Sequence, residues 1–179
     1  GRAQEGDTPI DVRLRRDPPR SPPSGEAGRH EAGGRRCRDQ GESRLAMEVV
    51  VDTNVLVSGV FFGGLPARVL DAWRDGRYDL VVSPEILDEY RRVGEELSRR
   101  FPPVSLGPFL ALLVTHAAIV EAPSLVTPAC SDPDDDRFFA CAVAGRCELI
   151  ISGDRHLLAA SGAHGVKVFT PRQFVDTLL

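Results

Sequence analysis

Asp52, Glu89, Asp135 and Asp154 stand where carboxylates can do chemistry. Asp52 ends the β-branched run Glu48-Val-Val-Val, and Asp154 lies just beyond the apolar run Leu149-Ile-Ile. Asp135 belongs to the cluster Asp132-Pro-Asp-Asp-Asp136, and Glu89 flanks an apolar helical stripe, with Ile86 three residues before it and Val93 four after. Taken singly, each Asp is ordinarily a cap for orphan amide groups, the Asp run suits the positive end of a helix dipole, and Glu89 suits a solvated face. Together they pose an electrostatic problem. Carboxylates held about 4 Å apart repel by roughly 4 kcal/mol per pair at an effective dielectric of about 20. Either some stay protonated or a divalent cation sits among them, and oxygen donors without His or Cys favour Mg²⁺ or Mn²⁺. Such an ion keeps positions open for water and phosphate oxygens, which suits in-line attack on a phosphodiester.

Neighbouring residues extend the candidate set. Thr53 and Asn54 beside Asp52, and Ser152 two residues before Asp154, have side chains able to orient a carboxylate or a water, although turn chemistry explains them equally well. Asp134 and Asp136 are auxiliaries to Asp135. Arg137 and Arg155 each follow an acid motif directly and have the fork geometry to hold a phosphate, as candidate phosphate contacts. Arginine is almost the only base in the chain, so most copies are ordinary surface residues.

These acids need elements to bring them together. Strands are expected at Glu48–Asp52, Asp79–Val82, Ala117–Glu121, Leu149–Ile151 and Val166–Val168, from their short apolar, β-branched runs. Helices are expected after Gly63-Gly64 with Pro66 in the first turn, from Ser83-Pro84 to about Arg100, across Leu106–Val114, from Pro133 to Ala144, over Asp154–Ala160 and from Pro171. Strands alternating with helices imply right-handed crossovers and a parallel sheet covered on both faces. Sites in such folds form beyond the carboxyl ends of the strands, where Asp52, Asp154 and the Asp132–Asp136 run fall.

Composition divides the chain. Residues 1 to 46 hold seven Gly, five Pro and ten Arg but only four of the large apolar residues, too few to offset chain entropy with a core. They are expected to be a disordered or non-native extension. The single methionine, Met47, is a plausible natural start, and residues 47–179 form the expected domain. From Met47 onward 12 basic residues face 18 acidic ones, which excludes binding of nucleic acid by bulk attraction and requires local charge or metal. Cys37, Cys130, Cys141 and Cys147 make no Cys-x-x-Cys pair, so free thiols in a reducing cytosol are expected. The apolar stretch Leu110–Val120 is too short and interrupted to span a bilayer, and no membrane association is expected.

With these residues in view, the chain resembles the PIN-domain family, in particular small bacterial toxins of toxin–antitoxin pairs related to VapC. The resemblance rests on Val49-Val-Val-Asp52-Thr-Asn-Val-Leu-Val57, Ser83-Pro-Glu-Ile-Leu-Asp-Glu89-Tyr90, Asp132-Pro-Asp-Asp135-Asp-Arg-Phe-Phe-Ala-Cys-Ala142 and Ile150-Ile-Ser-Gly-Asp154, in order. It implies a three-layer α/β/α fold around a parallel sheet of about five strands. It also implies a pocket of acids holding Mg²⁺ or Mn²⁺, and cytoplasmic cleavage of single-stranded RNA. Asp52, Glu89 and Asp154 fall on the family's acid positions, and Asp135 is the third acid by its offset to Ala142, with Asp134 and Asp136 as the competing choices. Asp52, Asp135 and Asp154 would be metal ligands and Glu89 a ligand or an orienter of water. A cognate antitoxin and a homodimer are implied as partners.

Two other readings compete. A strand ending in Asp also suits an aspartyl-phosphate phosphatase or a receiver domain, but the phosphatase pattern wants a second Asp where Asn54 stands, and Lys167 is the receiver's only echo. The non-enzymatic alternative is a catalytically silent PIN-like module that binds RNA or a partner protein.

Overall fold

The computed structural model describes residues 47–179. The expected extension at 1 to 46, with Cys37, lies outside the described residues. Strand β1 (Glu48–Val51) carries Val49, Val50 and Val51, all fully buried. Consecutive strand side chains face opposite sides, so three adjacent buried valines require cover on both faces. Around β1 lie β2 (Asp79–Val82), β3 (Ala118–Ile119), β4 (Leu149–Ile151) and β5 (Lys167–Phe169), in the order β3-β2-β1-β4-β5. Every pairing is parallel, with Val51 opposite Ile151 and Ile151 opposite Phe169. Helices α1 (Thr53–Phe61), α2 (Gly64–Arg74), α3 (Pro84–Arg100), α4 (Gly107–His116), α5 (Asp136–Ala144), α6 (Arg155–Ala159) and α7 (Pro171–Leu178) cover the sheet in a three-layer α/β/α arrangement.

The strand order creates the place for a site. From β1 the chain builds outward through β2 to β3, then returns to lay β4 on the opposite side of β1 and continues to β5. That reversal opens a crevice between the carboxyl ends of β1 and β4, the position where open parallel sheets bind ligands. Backbone pairing runs past the strand ends: Asp52 N donates to Ile151 O at 2.9 Å and Ser152 N to Phe169 O at 2.9 Å. Asp52 and Ser152 are thereby held at the rim of the crevice.

Local chemistry explains most element boundaries. Ser83 caps α3 by accepting from Ile86 N at 3.3 Å, with Pro84 in the first turn, and a reciprocal Thr170–Gln173 capping box opens α7. Gly63 and Gly64, with φ of 78° and 71°, make the turn between α1 and α2 in a backbone region that side chains disfavour. At Gly94 an added Cβ would lie 2.2 Å from Leu106 Cδ2, so this residue lets the segment ahead of α4 close against α3.

Three expectations need correction. A helix, α1, begins directly after Asp52, in a stretch whose valines did not signal one. Its apolar residues Val55, Leu56 and Val57 are buried, so tertiary packing outweighs the modest helix propensity of valine. The third strand spans only Ala118–Ile119, both exposed at the sheet edge, rather than Ala117–Glu121. Pro133 does not open a helix: Asp132–Asp135 form a turn, with Asp135 N on Asp132 O at 3.2 Å, and α5 begins at Asp136. Among the described residues, no single helix is long and apolar enough to cross a membrane.

Candidate functional site

Asp52 is 3% exposed, an unusual position for a carboxylate. It ends β1 and caps α1, its Oδ1 accepting from Asn54 N at 3.3 Å. Its Oδ2 accepts from the Ser152 hydroxyl at 2.7 Å, and the same hydroxyl accepts from Asp154 N at 2.9 Å. One fully buried serine therefore ties the end of β1 to the loop after β4. Burial raises the Asp52 carboxyl to about 6, the bonds from Ser152 and Asn54 oppose that rise, and the charges of Asp135 and Asp154 add to it.

Asp154 caps α6, its Oδ1 accepting from His156 N at 2.6 Å and Leu157 N at 3.4 Å. Asp135 sits at the start of α5 and makes no capping bond. Its carboxyl is raised by partial burial and then by Asp154 and Asp132, against the opposing pull of His156 and Arg137. The charges of Asp135 and Asp154 thus act on the Asp52 carboxyl, and that of Asp154 acts on Asp135.

The rest of the Asp run has other occupations. Asp136 Oδ1 accepts from Ala129 N and Cys130 N, both at 2.8 Å, which pins the preceding loop onto the start of α5. Asp132 Oδ1 accepts from Asp134 N at 3.0 Å. Asp134 is exposed, and Arg137 holds it by Nε on its carbonyl at 2.5 Å and Nη2 near its carboxylate at 3.3 Å. Asp135 is left as the member of the run whose carboxylate takes neither a hydrogen bond nor an ion pair from the described residues.

Glu89 is paired with an arginine. Arg137 Nη1 lies 2.7 Å from Glu89 Oε2, and each side chain is about four-fifths buried. The contact is one of charge, since that oxygen receives no well-aligned hydrogen bond. Arg137 is thus engaged with two acids rather than free. Arg155 is exposed on α6, where its Nε reaches only His156 Nε2 at 3.4 Å.

Two further features bear on the site. Tyr90, fully buried beside Glu89, donates its hydroxyl to Val51 O, the carbonyl immediately before Asp52, and burial drives its pKa well above the usual phenol value. In the sequence this residue is one more member of an apolar stripe, and only the fold shows where its hydroxyl goes. Among the described residues, Thr53 Oγ1 is buried without a partner, next to Asp52. Away from the site, burial pushes the free thiols of Cys141 and Cys147 up to about 12, which leaves them inert.

The donor set has the chemistry of a hard-cation site: three carboxylates, a raised Asp52 that positive charge would relieve, and an orphan hydroxyl beside it. The side chains do not, however, close on one point. Among the described residues no three Asp, Glu, His or Cys groups converge closely enough to share an ion. The reason is visible in their bonds. Asp52 is turned towards Ser152, Asp154 towards the amides of α6, and Glu89 towards Arg137.

None of the curated proteins compared matches this sequence. The PIN domain family does match, over residues 48–156, more than half of the chain and a span that contains Asp52, Glu89, Asp135 and Asp154. That family is a nuclease-type fold whose members typically use divalent metals. With a parallel five-stranded sheet between helical layers, and Asp52 and Asp154 just beyond the carboxyl ends of β1 and β4, this chain belongs to the PIN-domain family.

Proposed function

We propose that this protein is a metal-dependent endoribonuclease that hydrolyses phosphodiester bonds in single-stranded RNA, and that it is the toxin half of a toxin–antitoxin pair. The observation that carries the reading is the Ser152 hydroxyl at the β1–β4 crevice, which donates to the Asp52 carboxylate at 2.7 Å and accepts from the Asp154 amide at 2.9 Å, and so holds two of the acids at one rim. These three residues would hold Mg²⁺ or Mn²⁺. Bound there, the ion supplies positive charge that offsets the carboxylates and polarises both a phosphodiester oxygen and the attacking water.

The chain's own residues prepare that chemistry. Ser152 fixes the direction of the Asp52 carboxylate and, through the Asp154 amide, sets the second acid relative to the first. Tyr90 braces the β1 carbonyl from which Asp52 projects. Asp136 clamps the loop ahead of α5 and leaves Asp135 unencumbered. The net negative charge of the domain makes a cation the agent that admits a polyanion to the crevice.

The test is incubation of the purified chain with labelled single-stranded RNA, with Mn²⁺ or with EDTA, beside Asp154→Asn. Cleavage that needs Mn²⁺ and vanishes in the variant supports the proposal. RNA binding without cleavage in Mn²⁺ or in Mg²⁺ identifies a silent module instead, and phosphorylation at Asp52 by acetyl phosphate would revive the aspartyl-phosphate reading. A cognate antitoxin occupying the crevice, a homodimeric state and a cytoplasmic location belong to the same proposal. Co-purification with the product of an adjacent gene, and sedimentation, address the first two.

A further inference from the structure

Glu89 is an acid of the family pattern, and its carboxylate lies against Arg137. Arg137 in turn uses both ends of its guanidinium. Nη1 meets Glu89 on α3, while Nε and Nη2 meet the carbonyl and carboxylate of Asp134, the residue just before Asp135. A planar fork engaged at several points carries geometric information that a single charge contact does not. Helix α3 and the turn that delivers Asp135 are thereby joined through one side chain, in a setting about four-fifths buried where screening by salt is weak.

We propose that Glu89 is a positioning residue in this protein: it anchors Arg137, and the Glu89–Arg137–Asp134 bridge sets the Asp135 carboxylate, so that Glu89 is not a ligand of the cation. This rests on the reading of Asp52, Asp135 and Asp154 as the residues that hold the ion. Three arguments support the bridge. Arg137 neutralises one of four neighbouring acids without metal, which leaves a three-carboxylate set with less repulsion to overcome. Asp135 takes no side-chain bond of its own, so its placement depends on the anchored residues on either side, Asp134 and Asp136. Glu89 also precedes Tyr90, whose hydroxyl braces Val51, so a single turn of α3 supports two of the strands of chain that carry acids.

The two roles for Glu89 predict opposite signs. If Glu89 were a ligand, Arg137 would compete with the ion for it. Arg137→Gln would then tighten Mn²⁺ binding, while Glu89→Gln would weaken it. If Glu89 is the anchor, both substitutions break the same bridge. Each then weakens Mn²⁺ binding by about tenfold, and the double variant is no weaker than either single one. Electron paramagnetic resonance of free Mn²⁺ in titrations of the full chain reads these affinities, with Asp154→Asn as the ligand-loss control. Tighter binding in Arg137→Gln overturns the proposal, as does an additive double variant.

Hydrogen exchange in the absence of metal tests the bridge by itself. The Asp134 and Asp135 amides should exchange about tenfold faster in both single variants and no faster in the double, with melting temperatures confirming that each variant is folded. Arg137→Lys, which keeps a charge for Glu89 but loses the fork to Asp134, should fall between wild type and Arg137→Gln. Unchanged exchange overturns the bridge. A wild-type chain that takes up no Mn²⁺ while these amides respond as described refutes the cation reading and leaves the bridge standing.

Discussion

Ser152 and Asp52 meet at 2.7 Å across the β1–β4 crevice, although 100 residues of chain separate them. The hydroxyl is fully buried, gives its proton to one acid and receives the amide of another, so its only proton is committed. Ser152→Ala should cost about 1–3 kcal/mol of stability, because it leaves a buried carboxylate oxygen and a backbone N–H without partners. It should also raise the Asp52 carboxyl above about 6, since the lost bond is the larger of the two that oppose burial. Urea denaturation and carbon-detected titration of the Asp side chains read the two effects.

Asp52 makes the fold's stability depend on pH in a stated direction. Its carboxyl goes from an ordinary value of 3.8 to about 6 in the fold, so the folded chain binds this proton more tightly than the unfolded chain does. The advantage to the folded state is complete below the unfolded value and is lost as pH rises through about 6, amounting to about 3 kcal/mol. Asp52→Asn lacks this titration. Relative to wild type it should therefore gain stability between about pH 4 and about pH 7, as measured by paired denaturation curves. A constant difference across that range contradicts the assignment of the shift to Asp52.

Adjacent acids at the start of α5 should separate cleanly. Asp135→Asn removes a carboxylate that makes no structural bond, so cleavage should fall by about a hundredfold or more with the melting temperature unchanged or raised. Asp136→Ala removes the acceptor of two backbone amides and should lower stability by about 1–3 kcal/mol. Parallel RNA-cleavage rates and thermal melts distinguish the two. The reverse pattern would identify Asp136 as the functional acid.

Tyr90→Phe keeps the ring in the core and deletes only the hydroxyl that meets Val51 O. The expected loss is about 1–2 kcal/mol of stability, with a fall in cleavage at saturating Mn²⁺ because the carbonyl ahead of Asp52 loses its brace. Equal cleavage rates in variant and wild type would confine Tyr90 to a structural role.

Gly94→Ala tests the packing that supports α3. The new Cβ would lie 2.2 Å from Leu106 Cδ2, so Leu106 must move, at a cost of about 1–3 kcal/mol visible in the melting temperature.

The sheet was legible in the sequence because its strands are runs such as Val49-Val-Val and Leu149-Ile-Ile, bounded by caps and turns with local causes. Helix α1 was not, since Val55, Leu56 and Val57 fit a strand as well as a helix until the Asp52 cap and the cover over β1 decide between them. The acids themselves were legible because strand ends mark where a parallel sheet gathers chemistry. Their partners were not. Arg137 reads as a phosphate contact beside an acid motif, and its pairing with Glu89, from an element far away in the chain, follows only from the three-dimensional arrangement. Tyr90 looked like core and is core, but its hydroxyl direction has no signature in spacing.

The reversal of strand order has a consequence for how the acids come to meet. Asp52 and Asp154 are joined through Ser152 only once β4 has slotted in next to β1, and β4 follows β1, β2 and β3 in the chain. A nascent or truncated polypeptide ending before Leu149 would keep its first acid on an open sheet edge, without Ser152 or Asp154. The repulsion among the acids, and any reactivity that comes from gathering them, is thus deferred until almost all of the fold is in place to withstand it.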